Sequence, residues 1–185
     1  MKHIILIRHA KVDTDNSQKI HASKLQDWVK KYDISGICKD SKPAQKTIEL
    51  AQDSDVVLTS LLRRTQLSAK MLSLNIDEEN SLFNEAKIPK IDIPFLKLPP
   101  MRWLLIIRVL SFFSFGKIGL SLKESKLQAQ QASLKLLVFS NKYNKVLLFG
   151  HGGMNWLIRK ELLKDGWRLK EKPSNKNWGT TILVK

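Results

Sequence analysis

Two histidines and two arginines in this chain stand where α/β proteins do their chemistry. Arg8 and His9 follow directly on the apolar run "HIILI", His151 follows "NKVLLFG" and precedes two glycines, and Arg64 lies just past Ser60, which closes "DVVLTS". A nearly unbroken run of β-branched and leucine residues is how a strand covered on both faces reads, and in such sheets ligands bind beyond the carboxyl ends of the strands. If the three strands are neighbours, their exits form one positively charged, donor-rich pocket. The planar fork of arginine suits phosphate oxygens, and a helix starting after His151 offers free backbone N–H groups and a favourable dipole. The pocket asks for a phosphate.

The elements that must position these residues alternate along the chain. After the first strand, "SKLQDWVKKYD" spaces Leu25, Trp28, Val29 and Tyr32 as a helix does, and "PAQKTIELAQD" reads as a short helix with Pro43 at its start. "DVVLTS" is a second strand, and "LLRRTQLSAKMLSL" a helix with Ser60 as its N-cap. "SLFNEAKIP" reads as a short extended segment and "SKLQAQQASLKLLVFSN" as a long helix. "NKVLLFG" is a third core strand running into the helical "HGGMNWLIRKELL", and "WGTTILVK" closes the pattern as a last strand. This is the alternation of an α/β sandwich. The 185 residues suit one domain, with no Gly/Ser-rich linker and no internal repeat.

Charge and cysteine content narrow the function classes. Lys plus Arg number 32 against 17 Asp plus Glu, a formal net charge of +15. An acidic partner would explain this, whether nucleic acid, an anionic membrane or a phosphorylated substrate, and so would a generally lysine-rich surface. The lysines are scattered except in "RKELLKDGWRLKEKPSNK", which has Trp167 as its one interleaved tryptophan and no RNA-binding signature. A nucleic-acid partner is therefore disfavoured. The lone Cys38 excludes an internal disulfide and a cysteine pair for zinc, and no His-x-x-His spacing occurs. The expectation is a cytoplasmic protein with no metal and no cofactor. "MKHIILIR" is not a signal peptide, because Arg8 interrupts its apolar run.

The residues resemble the histidine phosphatase superfamily, the phosphoglycerate mutase-like proteins. "LIRHA" is similar to the family's Arg-His-Gly signature, "SLLRRTQLSA" to its Ser-x-Leu-x-Arg-x-x-x-Thr-Ala helix start, and "LLFGHGG" to the setting of its second histidine. Order and spacing agree over nearly the whole chain. The resemblance implies a three-layer α/β/α sandwich with a mostly parallel central sheet. It puts the catalytic histidine at His9, the phosphate-holding arginines at Arg8 and Arg64, and the second catalytic, phosphate-binding histidine at His151. The proton donor falls on Glu85 of "LFNEA", with Glu124 of "KES" as its rival. The implied reaction is metal-independent hydrolysis of a phosphomonoester through a phosphohistidine, on a phosphorylated small molecule or phosphoprotein. Residue chemistry agrees: a neutral imidazole attacks phosphorus in line, cationic groups neutralise the equatorial oxygens, and a partly desolvated acid serves the leaving group.

Departures from the family pattern bear on substrate. Ala10 stands in place of the signature glycine, and "KVDTDN" in place of the usual Glu-Thr-x-x-Asn. Family mutases are generally longer chains, so phosphatase is preferred over a mutase-type phosphotransferase, with a basic nucleic-acid-binding protein as the remaining alternative. The most apolar stretch, residues 99–121, cannot span a bilayer: a span needs about 20 apolar residues, and Arg102, Arg108 and Lys117 interrupt this one. By resemblance it belongs to a helical lid or insertion at about 87–120. An ordinary core helix, a dimer contact and an interfacial membrane anchor are the alternatives, the last because Trp103, Phe112, Phe113 and Phe115 lie beside basic residues.

Overall fold

The computed structural model describes every residue except 92, 94 and 113–115, and no side chain within 111–121. The sequence expectations for Phe112, Phe113 and Phe115 therefore fall outside the described groups. The first strand, β1 (His3–Arg8), lies at the centre of a six-stranded sheet. One neighbour is β6 (Lys145–Gly150), parallel and in register from His3 opposite Lys145 to Arg8 opposite Gly150. β3 (Val56–Thr59) adds parallel to β6, and the two-residue β4 (Glu78–Glu79) parallel to β3. On the other side β8 (Thr180–Val184) runs antiparallel to β1, and β7 (Arg168–Leu169) antiparallel to β8. The three strands whose exits carry the singled-out residues are thus adjacent, in the order β3, β6, β1.

The pleat sorts the apolar run into two cores. Ile4 and Leu6 of β1 pack with Leu58, Leu148 and Leu183 on one face, against α5 (Gly116–Lys142) and α6 (Gly152–Lys164). Ile5 and Ile7 pack with Val57, Leu147, Phe149 and Ile182 on the other, where α2 (Gln45–Gln52) supplies Ala51 and α3 (Arg63–Met71) supplies Ala69. A strand covered on both faces must be apolar at every position, which is why "HIILI" shows no alternation. The layers are helix, sheet and helix, as the sequence predicts. Full burial of each such side chain stabilises by roughly 1.5–3 kcal/mol before entropy is counted.

A third apolar cluster sits apart from the sheet. It joins α1 (Leu25–Ile34), α4 (Pro100–Phe112) and a small antiparallel ribbon of β2 (Ile20–His21) and β5 (Lys97–Leu98). Its centre is Trp103, wholly buried with Ala22, Leu25 and Ile107, and the Trp103 indole donates to the Ile20 carbonyl at 2.8 Å.

Several local expectations are corrected. Ser60 does not cap α3: that helix begins after Leu62, and the Ser60 hydroxyl is held by Thr65 and His151 instead. "SLFNEAKIP" contains no strand; Ser81–Phe83 is a 3₁₀ turn whose preceding residue, Asn80, accepts the Leu82 N–H. The strand of that region is the charged pair Glu78–Glu79 just before it, too short to carry an apolar signal. Pro43 lies before Ala44, the residue that caps α2.

The loop before β8 closes against the exit of β1. The Arg8 N–H donates to the Gly179 carbonyl and the Trp178 N–H to the Arg8 carbonyl, both at 3.0 Å. A Cβ on Gly179 would lie 2.5 Å from the Ser174 carbonyl oxygen and 2.8 Å from that of Lys176. Backbone atoms would have to move to admit it. Gly36 has nothing within 4 Å of the same atom. Gly179→Ala should therefore cost about 1–3 kcal/mol in urea unfolding, and Gly36→Ala within about 0.5 kcal/mol of nothing. Equal losses would contradict the packing described.

Candidate active site

His9 stands one residue beyond β1, with its N–H donating to the Gly150 carbonyl at 3.1 Å and its carbonyl accepting from Asn177 Nδ2 at 2.9 Å. The backbone is pinned on both sides, and the ring is 3% exposed. Its Nδ1 lies 2.7 Å from the Ala10 carbonyl oxygen. A carbonyl can only accept, so Nδ1 carries the proton and the lone pair resides on Nε2. The Ala10 N–H donates to Ser68 Oγ at 2.9 Å, and that hydroxyl donates to the Arg64 carbonyl at 2.6 Å. The carbonyl that orients the His9 ring is thereby tied to α3.

Arg64, in the first turn of α3, is 3% exposed and has its guanidinium shared among three residues. Its Nε donates to His151 Nδ1 at 3.2 Å, one terminal nitrogen donates to Asp33 Oδ1 at 2.6 Å, and its face lies 5.0 Å from the Tyr32 ring centroid. His151 ends β6 and precedes α6, wholly buried, with its ring 5.3 Å from that of His9. Because Arg64 donates to Nδ1, His151 is protonated on Nε2, which donates to Ser60 Oγ at 2.8 Å. Both ring nitrogens are engaged. Through the bond at Nδ1 the ring orients Arg64. Arg63, the sequence neighbour, points elsewhere, to the Ile34 carbonyl.

Arg8 turns its stem onto Gly152, where a Cβ would come within 3.4 Å of it, and donates to the Asn175 carbonyl at 2.7 Å. Among the described residues its buried Nε finds no acceptor. Glu85 lies at the start of α6, accepting from the Met154 N–H at 3.0 Å and the Gly153 N–H at 3.4 Å. The helix terminus that could receive an anion already holds this carboxylate. Glu124 is exposed on α5, bordering a surface groove with Glu161 and Lys164. The pocket brings Arg8, His9, Arg64, His151 and Glu85 together and leaves Glu124 outside.

Four residues that sequence reasoning missed complete the enclosure. Tyr32 and Asp33 end α1 and lean over Arg64, although α1 is read in the sequence only as an amphipathic helix. The Tyr32 hydroxyl is pushed up in pKa by burial and by the Glu85 and Asp33 carboxylates, against the pull of Arg64 and Arg8. One ring thus feels both arginines and both acids, which places Glu85 in the same enclosure as the guanidiniums. Asn175 and Asn177, of the loop before β8, hold Arg8 and the His9 backbone. Among the described residues no group of three or more His, Cys, Asp or Glu side chains could hold a metal ion.

Burial and the neighbouring cations set the charge of the site. His9 is lowered from its ordinary 6.5 to about 3, by burial first and then by Arg64 and Arg8, with the Ala10 carbonyl opposing. His151 lies well below the ordinary range, from burial and then from Arg64, His9 and Arg8. Both rings are neutral near pH 7. Below about 6.5 the unfolded chain binds protons that the folded site refuses, so stability is fully present above that pH. It falls as pH drops toward 3, by up to about 1.4 kcal/mol per pH unit for each histidine. Urea unfolding between pH 6.5 and 4 should show this slope, and His9→Asn should flatten it. An unchanged slope in the variant would contradict the buried neutral ring.

No family model matches the chain, and no curated protein matches it by sequence. Solved structures do match. The phosphoserine phosphatase of Entamoeba histolytica, in complex with 3-phosphoglyceric acid, aligns over 100% of this chain and 91% of its own at 18% identity, with a TM-score of 0.57. A mycobacterial glucosyl-3-phosphoglycerate phosphatase aligns over 98% of this chain and 89% of its own at 12% identity, with a TM-score of 0.54. With its mostly parallel sheet and its three layers, the chain has the fold of the histidine phosphatases, the phosphoglycerate mutase-like proteins.

Proposed function

We propose that this protein is a phosphatase that hydrolyses a phosphomonoester through a phosphohistidine on His9. The observation that carries the proposal is the state of that ring. Nδ1 is committed to the Ala10 carbonyl, Nε2 keeps its lone pair, and two guanidiniums lie beside it. A neutral imidazole between fixed cations is a nucleophile facing an anion site.

The proposed steps use the residues gathered in this pocket. Arg8 and Arg64 draw the phosphoryl oxygens, and His151 keeps Arg64 in place from the other side. His9 Nε2 forms a bond to phosphorus as the bond to the leaving oxygen breaks, and Glu85 in its protonated form gives that oxygen a proton. The ring then carries positive charge, which the Ala10 carbonyl stabilises through Nδ1–H. Water attacks the phosphoryl group, Glu85 takes a proton from it, and the N–P bond breaks to restore the neutral ring and inorganic phosphate. Positive side chains supply the charge neutralisation, so the reaction as written uses no metal.

The substrate is read as a phosphorylated small molecule, supported by the phosphoserine and 3-phosphoglyceric acid named for the Entamoeba structures. Helix α4 and its flanks, about 87–120, are read as the cover of the site: Trp103 and Ile107 share a cluster with α1, whose Tyr32 and Asp33 close over Arg64.

Rapid acid-free quenching during turnover should trap phosphate on His9, labile to acid and stable to base, and His9→Ala should lose both label and activity. Turnover persisting in that variant would overturn the covalent step. Glu85→Gln should slow alkyl phosphates by roughly 10²–10⁴ while sparing activated aryl phosphates, whose leaving groups need no proton. Equal losses for the two classes would remove Glu85 from the acid role.

A further inference from the structure

Among its described residues helix α4 has two apolar faces, one of them packed inside the protein. Trp103 and Ile107 are buried in the third cluster. Met101, Leu105 and Val109 recur at intervals of four on the opposite side and are 40%, 60% and 48% exposed. The chain just ahead of the helix presents Phe95 at 88% and Leu96 at 38% exposure. Five large apolar side chains held in water on α4 and the segment just ahead of it exceed what a scatter of surface leucines explains.

The surroundings of this face are cationic. Between residues 86 and 123 the sequence has seven Lys or Arg and a single acid, Asp92, in a chain already at +15. Lys97 and Arg102, next in sequence to Leu96 and Met101, are exposed. An apolar strip bordered by basic side chains matches the boundary between acyl chains and anionic headgroups. A second copy of the chain fits poorly, because matching this face with itself would bring Lys97 and Arg102 against their counterparts. A nucleic acid has no use for Leu105 or Val109. No described helix is long and apolar enough to cross a membrane, so the contact would be peripheral.

We infer that the outer face of α4, with the segment 95–97 ahead of it, docks this protein on an anionic membrane surface. The apolar side chains enter the headgroup boundary and the basic ones remain among lipid phosphates. This contact is independent of the reaction at His9. Because the inner face of α4 packs with α1, docking would set the enclosure beneath Tyr32 close to the lipid surface.

Co-sedimentation of the full chain with vesicles tests this without any assay of turnover. Vesicles of phosphatidylcholine with phosphatidylglycerol should bind roughly tenfold more protein than phosphatidylcholine alone, and high salt should remove most of the difference. The double variant Leu105→Gln, Val109→Gln should lose roughly tenfold in partitioning while keeping its melting temperature, since both side chains are exposed. Leu134→Gln with Val138→Gln, an equal change on exposed positions of α5, should leave binding unaltered and guards against a general effect of lost apolarity. No binding to anionic vesicles, binding unchanged by the α4 variant, or equal loss in the α5 control would overturn the inference. So would a dimer in analytical ultracentrifugation that the α4 variant disperses, which would assign the face to a second copy.

Discussion

The hydrogen bond from His9 Nδ1 to the Ala10 carbonyl is the contact on which the site depends. A histidine buried between two arginines has every electrostatic reason to be neutral, but neutrality alone leaves open which nitrogen holds the proton. The carbonyl decides it. With Nδ1 protonated, the lone pair of the ring is placed on Nε2. Ala10 can offer its carbonyl because its own N–H is held by Ser68, which is held by Arg64 in turn. The cation that depresses His9 and the acceptor that orients it are thus joined through one helix.

Construction of the site also explains why the sheet is ordered as it is. Parallel pairing in register sets Arg8 opposite Gly150, so that His9 and His151 leave adjacent strands at the same level and their rings meet at 5.3 Å. β3 lies beyond β6 and delivers Ser60 to His151 and, after Leu62, Arg64 to the same ring. Buried polar groups at this density would be costly if unpaired. Instead His151 uses both nitrogens and Ser60 serves His151, Thr65 and Leu62. Among the described residues the buried Nε of Arg8 has no acceptor, and the buried Thr59 Oγ1 and Asn155 Oδ1 nearby are likewise without a partner.

Much of this was legible in the sequence, and for a physical reason. Residues at strand exits are placed by local pattern: the apolar runs before Arg8 and His151 define the strands, and a parallel sheet brings such exits together. Arg64 was separable from Arg63 by its distance from Ser60, and the structure buries Arg64 while Arg63 stays exposed. What local pattern could not show are partners brought by tertiary packing. Tyr32 and Asp33 end a helix whose periodicity says only that one face is apolar, yet they close over Arg64 from thirty-one residues away. Asn175 and Asn177 lie in a polar loop before the last strand and carry no sign that they hold Arg8 and His9. Ser60 reads as a cap because a serine before a helix usually is one; in the fold its hydroxyl is committed to His151.

The central claim is that His9 is neutral, protonated on Nδ1, with Nε2 free. Nitrogen-15 NMR of histidine-labelled protein tests it directly, since protonated and unprotonated ring nitrogens resonate far apart. The account predicts a His9 ring with one pyrrole-like nitrogen, Nδ1, and one pyridine-like nitrogen, Nε2, unchanged from pH 7.5 down to pH 5. A His9 ring that titrates near pH 6.5, or one with its proton on Nε2, would contradict it.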